Sequence, residues 1–326
     1  MVDLSIVIAT HNGQGVLGRV LEGYEKIQNG DDNWELIIVD NASTDDTAKI
    51  IHEFSNRLPI KYIFVPDPGK NGALNAGLRE IEGSIIILSD DDAIPQPGFL
   101  NAWRDAFERL PQFDVFGGAI HLEFDAPAPG WLLRRELKFE ELYAIRKNVI
   151  EGPIHPLKIY GPNMAVRRKV FDEGLTFNSS IGPNSADAKY AMGSENDFCT
   201  RAAEKGYTTG FTPQPLVFHI VRPHQITREY WANRAYKLGR GAAKQQWDSG
   251  KLVLKDRPPL VELAAQLVRL TRRSIQYLTT FVPGNYLNFM ARWEFGFGCG
   301  FSDENARQKR IRKEERRSLP SLEARP

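Results

Sequence analysis

The strongest constraint in this sequence is a series of short apolar segments that alternate with helical spacing through residues 1–120. The segments are Leu4–Ala9, Glu35–Val39, Lys61–Val65 and Ser84–Leu88. Runs this short and this apolar suit strands covered on both faces, as in parallel sheets flanked by helices. Between them, Leu17, Val20, Leu21, Tyr24 and Ile27 recur at helical spacing. Ile51, Phe54 and Leu58 do the same, with Ser43 and Asp46 as a helix-start pair ahead of them. Leu74, Gly77, Leu78 and Ile81 form a further stripe. Pro97, a residue suited to a first helical turn, precedes Phe99, Leu100, Trp103, Phe107 and Leu110. This alternation predicts an α/β fold built on a doubly wound, mainly parallel sheet.

The pattern changes after Ile120. Residues 121–160 are irregular and rich in proline and aromatics, with a helix expected near 132–146. Met164–Arg167 reads as a strand, Ser194–Lys205 as a helix closed by Gly206, and Leu216–Ile220 as another strand. A long helix is expected from Thr227, and an amphipathic one over 258–281. The expected organisation is a ligand-binding half over 1–120 and a second half of the same domain over 121–245. A helical C-terminal extension follows over 246–302, then a charged tail over 303–326 that reads as disordered.

Composition narrows the function. A formal net charge of +1 argues against a nucleic-acid binder, which needs a basic face. Cys199 and Cys299 lack the spacing of a zinc site or a disulfide framework. The first residues enter a strand without the basic and cleavage regions of a signal peptide. No apolar run reaches the roughly 18–20 residues that cross a bilayer. These features predict a cytoplasmic protein.

Two motifs compete for the chemistry. Gly13-Gln14-Gly15-Val16-Leu17-Gly18 matches a dinucleotide-binding glycine fingerprint, with Asp40 at the end of the next strand. Thr10, His11 and Asn12 separate the first glycine from its strand, where that fingerprint needs a tight turn. The second motif is Asp90-Asp91-Asp92 after the apolar strand Ser84–Leu88. Carboxylates gathered at the carboxyl end of a strand are unfavourable unless a cation offsets them. Mg²⁺ or Mn²⁺ would do so and would hold a diphosphate in turn.

The second motif sits within a larger pattern. Ile8–Asn12, Val39–Thr47, Gly69–Gly77, Leu88–Asp92, Gly161–Ala165 and Gly193–Arg201 together resemble, in order, the motifs of family 2 glycosyltransferases over about residues 4–240. The resemblance implies the glycosyltransferase-A fold and an inverting transfer from a nucleotide-sugar donor, most readily a UDP-sugar, to a saccharide or lipid-linked acceptor. It implies that Asp40 accepts a hydrogen bond from the nucleobase and that Thr10 and Asn12 line the nucleotide pocket. Lys70, Asn75, Asp90 and Asp91 would contact the donor. Asp92 would ligate the metal, with Asp90 and His219 as further ligands.

An inverting displacement also needs a base to take the acceptor's proton. Glu195 stands where the family commonly has an aspartate, and Asp197 is its rival. Ser194 and Asp197 also have the spacing of a helix cap, which gives Asp197 a structural alternative. His224, Arg228 and Arg234 are candidate phosphate contacts, and Trp131, Tyr143 and Tyr160 candidate sugar-stacking residues. The 258–281 helix, the aromatic stretch Trp293–Phe297 and the basic tail suit peripheral contact with an anionic membrane. The alternatives to a transferase are an NAD(P)-dependent oxidoreductase built on Gly13, Gly15 and Gly18, and a non-catalytic sugar-nucleotide-binding module.

Overall fold

The computed structural model describes residues 2–27, 33–130, 132, 142–147, 149–250 and 286–318. Most of the helix expected over 132–146, Trp131 and the whole of the 258–281 helix lie outside them. The described chain divides into two compact units. One is Met1–Ala188 with Ser194–Ile226, and the other is Lys189–Gly193 with Thr227–Pro326.

The first unit is a sheet with helices on both faces. Its elements begin β1 (Leu4–Thr10), α1 (Leu17–Ile27), β2 (Trp34–Asn41), α2 (Thr47–Phe54), β3 (Ile60–Val65) and α3 (Lys70–Gly77). Next come β4 (Ile85–Asp90), β5 (Ala93–Pro95), α4 (Phe99–Arg109), β6 (Val115–Phe124) and β7 (Gly152–Pro153). The last are β8 (Met164–Arg167), α5 (Arg168–Asp172), α6 (Ser194–Glu204) and β9 (Thr209–Val221).

The sheet order is β3-β2-β1-β4-β8-β6-β9-β5, with β7 on β9. The strands β3, β2, β1 and β4 run parallel, as the sequence pattern predicts. Beyond β4 the sheet is mixed, because β8 pairs antiparallel with both β4 and β6.

Strand alternation explains the unbroken apolar runs. Leu4, Ile6, Ile8, Leu36, Ile38, Ile85 and Ile87 pack under α1, α2 and α4. Val7, Ala9, Ile37, Val39, Ile86 and Leu88 face the other way, toward Ala73 and Leu74 of α3 and Phe198 and Ala202 of α6. Both faces are covered, so both residue sets must be apolar. Each fully buried aliphatic side chain contributes about 1.5–3 kcal/mol.

Three boundaries differ from expectation. Helix α2 opens at Thr47 rather than Ser43, because Ser43 and Asp45 serve loops instead. The Ser43 hydroxyl accepts from Asn12 N–H, and Asp45 accepts from Gln14 and Thr47. Strand β9 starts at Thr209, seven residues before the expected Leu216. Pro213 and Pro215 hid that half, and the pairing with β6 shifts register between Gly117 and Ala119. The third difference lies in the second unit.

That unit holds α7 (Arg228–Asp248) and α8 (Tyr286–Ser318). Thr227 caps α7, its hydroxyl accepting from Tyr230 N–H at 3.2 Å. Glycines let the two helices meet backbone to backbone. A Cβ on Gly239 would lie 2.0 Å from the Phe297 carbonyl, and one on Gly300 would lie 1.9 Å from that of Tyr236. Trp293 packs on Trp231 at 6.2 Å between ring centroids, so part of the aromatic stretch is spent on packing.

The charged tail is therefore not disordered where described, since α8 carries it on to Ser318. Glu304, fully buried, fixes this region by accepting from Arg240 Nη2 at 2.6 Å and Nε at 2.8 Å. No described helix is long and apolar enough to cross a membrane.

Candidate active site

The site lies at the carboxyl ends of β1, β2 and β4. Register pairs Thr10 with Asp40 and Ala9 with Asp90, so three sequence-distant segments end side by side. The chain winds outward from β1 in both directions, to β2 and β3 on one side and to β4 on the other. That reversal leaves the crevice in which open α/β sheets bind ligands.

Each residue of the aspartate run has a different partner. Asp90 meets the Lys70 ammonium at 2.5 Å. Asp91 turns toward β1 and accepts from the Thr10 hydroxyl at 2.6 Å. Asp92 faces His219 Nε2 at 3.2 Å and the Arg222 guanidinium at 3.3 Å. Burial and the neighbouring Asp92 charge push the Asp91 carboxyl up to about 6, with Asp90 adding to them. Burial works in the same direction on Asp92, but His219, Arg222 and Lys70 outweigh it and hold that carboxyl below the usual range. Burial also opposes charge on His219, and the Asp92 carboxylate reverses the balance and raises its pKa.

The expected three-ligand metal set is not preassembled. Among the described residues, no three His, Cys, Asp or Glu side chains form a ready metal site. Asp90 instead pairs with Lys70. The rest of the cluster does fit a hard dication. Asp92 and His219 lie together, and Asp91 carries charge its surroundings do not fully offset. His219 Nδ1 lies 2.9 Å from the Tyr143 carbonyl, the outer hydrogen bond typical of a metal-binding histidine, and this aims Nε2 at Asp92. Magnesium-type sites use one or two carboxylates and take their remaining ligands from substrate phosphates and water.

The base candidates separate cleanly. Glu195 lies on the first turn of α6 with its carboxylate 3.7 Å from Lys70 Nζ. Room for it comes from Gly161, where a Cβ would sit 2.2 Å from Glu195 Oε1. Asp197 is buried and occupied. It pairs with Arg201 at 2.7 Å one turn along the same helix, and Arg201 in turn donates to the Thr176 carbonyl. Asp197 thus has a structural partner in an ion pair.

The donor-side residues have more varied positions. Asp40 is buried at the end of β2, accepting from Ser43 N–H at 3.0 Å and from the Tyr62 hydroxyl at 3.1 Å. Burial and the Asp40 charge push the Tyr62 phenol up to about 12, so it remains a donor. Asn12 has a left-handed φ of 53° and joins two loops, its side-chain oxygen accepting from Thr44 N–H. Asn75 spends both ends of its amide on Phe177 N–H and C=O, at 2.9 and 2.8 Å.

Of the remaining candidates, Tyr143 is buried and donates to the Gln225 carbonyl, and Tyr160 lies under Arg146. Arg228 and Arg234 belong to α7 in the second unit. His224, beside Arg222, has its pKa lowered by burial and by that guanidinium.

Sequence reasoning missed Arg222, Gly161, Tyr62, Asn71 and Arg201. Each acts through a contact made across the fold; Gly161, Asn71 and Arg201 lie inside the motifs quoted above, which carry no sign of that contact, and Arg222 and Tyr62 belong to none of them. The glycine fingerprint does not build a dinucleotide turn. Only Gly13 is closely packed, against Thr10 and Asp91, while Cβ atoms at Gly15 and Gly18 would meet nothing within 4 Å.

Residues 5–175 match the family described as glycosyl transferase family 2. An uncharacterized glycosyltransferase of Nostoc, alr2836, is 30% identical over 281 residues, covering 75% of this chain and 84% of the relative. Other matches run over 98 and 101 residues, so that the chain spans only 23% and 22% of those relatives.

Among solved structures, the mannosyltransferase PcManGT of Pyrobaculum calidifontis, in complex with GDP-Man and Mn²⁺, superposes with a TM-score of 0.59 at 16% identity. That alignment covers 94% of this chain and 87% of PcManGT. S. aureus TarS 1-349 in complex with UDP-GlcNAc gives 0.50 at 14% identity, over 94% and 92% of the two chains. The structural likeness shows a shared fold, and the sequence matches show descent. With a continuous family match over half its length and a relative aligned along most of both chains, this protein belongs to glycosyl transferase family 2.

Proposed function

We propose that the protein transfers a sugar, with inversion, from a nucleoside-diphosphate donor to a hydroxyl of a saccharide or lipid-linked acceptor, with Glu195 as the base. The observation that carries this reading is Lys70. Its ammonium lies 2.5 Å from Asp90 and 3.7 Å from Glu195, joining the acidic cluster to a carboxylate from a distant segment.

In this reading Asp40 and the Thr10–Asn12 loop receive the nucleoside. Burial opposes the Lys70 charge, but Asp90 and Glu195 raise its pKa, so it meets the diphosphate as a cation. Arg222 supplies a second cation, and its Nε–H is buried without a partner, a donor that a phosphate oxygen would satisfy. Asp92 and His219, beside Asp91, would hold Mg²⁺ or Mn²⁺, which supplies Lewis-acid neutralisation of the departing diphosphate.

Glu195 takes the acceptor hydroxyl's proton as that oxygen bonds to the anomeric carbon. The bond to the diphosphate breaks on the opposite face, and its electron pair leaves with the nucleotide. UDP is the nucleotide favoured here. PcManGT, bound to GDP-Man, is the reason to test GDP beside it.

The test is a thermal-shift and turnover panel. UDP with Mn²⁺ at a hundredfold excess over Kd is expected to stabilise the fold by about 2.7 kcal/mol. Slow donor hydrolysis should accompany it. Stabilisation by NAD(P)H without metal would instead support the oxidoreductase, and nucleotide binding with no hydrolysis or transfer the binding module.

A further inference from the structure

The segment Thr176–Asn178 has no place in the chemistry above, yet side chains from two site helices grip its carbonyls in succession. Arg201 of α6 donates to Thr176 at 2.8 Å, Asn75 of α3 to Phe177 at 2.8 Å, and Asn71 of α3 to Asn178 at 2.9 Å. Phe177 N–H returns a bond to Asn75 at 2.9 Å, and Asp197 fixes Arg201 with Nε–O at 2.9 Å. Helix α3 begins with Lys70, and α6 carries Glu195 on its first turn.

A second contact draws the same two helix starts together. Gly182, at φ 99°, lies where a Cβ would sit 2.5 Å from Ser194 Oγ and 3.0 Å from Asn71 Oδ1. Only a residue without a side chain allows this approach, and the left-handed backbone also favours glycine. Phe177 adds apolar backing, its ring stacked on Phe198 of α6 at 4.6 Å.

We infer that Thr176–Asn178 is a tie that sets the distance between Lys70 and Glu195. Asn71, Asn75, Asp197 and Arg201 are then positioning residues for the transfer. The inference rests on the reading of Glu195 as the base. Fixing a base within hydrogen-bond reach of its proton is worth large factors in rate, since a displacement of about 1 Å can cost about 10²-fold. It also accounts for an asparagine and an aspartate within site motifs whose polar groups are spent on backbone and on Arg201.

The experiment uses Asn75→Ala and Arg201→Gln in the full chain, alone and combined with Glu195→Gln. Transfer and donor KM are measured, with melting curves as the control for folding. Each single variant is expected to lose about 10–100-fold in kcat while donor KM stays within about twofold. In the Glu195→Gln background neither should lower the residual rate further, because a positioning effect on the base vanishes with the base.

An equal loss in both backgrounds would overturn the tie, as would unchanged kcat in both variants. Should Asn75→Ala melt too low to assay, Arg201→Gln decides alone, being partly exposed at the helix surface. Wild-type turnover by Glu195→Gln itself would instead sink the reading of the base, a result distinct from failure of the tie.

Discussion

Exchanging Glu195 for glutamine is expected to lower transfer by about 10²–10⁴-fold while nucleotide affinity holds. Glutamine keeps the length and most of the shape that fit beside Gly161, so the loss would report the missing proton acceptor and not a repacked pocket. Turnover under saturating donor and acceptor, with UDP titration by calorimetry, separates the two effects. Asp197→Asn is the control. Its carboxylate holds Arg201, so that variant should lose stability and no more than the about 10–100-fold in kcat expected of a positioning residue, with nucleotide affinity unchanged. Normal turnover in Glu195→Gln with collapse in Asp197→Asn would move the base two residues along the helix.

The second large effect is expected at Asp92. Asp92→Asn keeps the volume and can still accept from Arg222, but it removes the charge that attracts a dication. Loss of metal-assisted charge neutralisation should cost on the order of 10³-fold in kcat/KM. Mn²⁺ should also cease to strengthen UDP binding, which a calorimetric titration at fixed nucleotide measures without reference to turnover. Asparagine leaves His219, which can shed its proton, and the partly exposed Arg222 without their carboxylate, so some loss of stability is expected and a melting curve is read beside the titration. If Mn²⁺ still tightens UDP binding to Asp92→Asn as it does in the wild type, the metal is held elsewhere.

The parallel half of the fold was legible because short apolar runs, repeated between stripes of helical spacing, suit strands buried on both faces. The lead-in to β9 was not, since Pro213 and Pro215 break the apolar pattern even though Thr209–Phe211 pair with Val115–Gly117. The reach of α8 was hidden by its polar composition. One buried carboxylate, Glu304, organises it, and sequence alone does not show that Arg240 waits opposite.

The site divides along the same line. Thr10, Asp40 and the aspartate run stood out because strand ends announce themselves by a change from apolar to polar. Lys70 and Glu195 followed from the order of motifs. Arg222 and Gly161 did not, because their meaning depends on which side chain the fold brings against them. Asn75 shows the reverse case, a residue inside a recognisable motif whose polar groups turn to the backbone of Phe177.

The Arg240–Glu304 pair carries a consequence for how the helical unit tolerates change. Charges sealed from water are stable only in company: removing Glu304 leaves Arg240 without its carboxylate at a cost of about 3–5 kcal/mol, removing Arg240 leaves Glu304 to Arg307 and Gln308 alone, and exchanging both for well-fitting apolar residues is often neutral. Positions 240 and 304 should therefore vary together: in a library randomised at both, folded survivors would keep the ion pair or lose it whole, and single-sided replacements would be depleted.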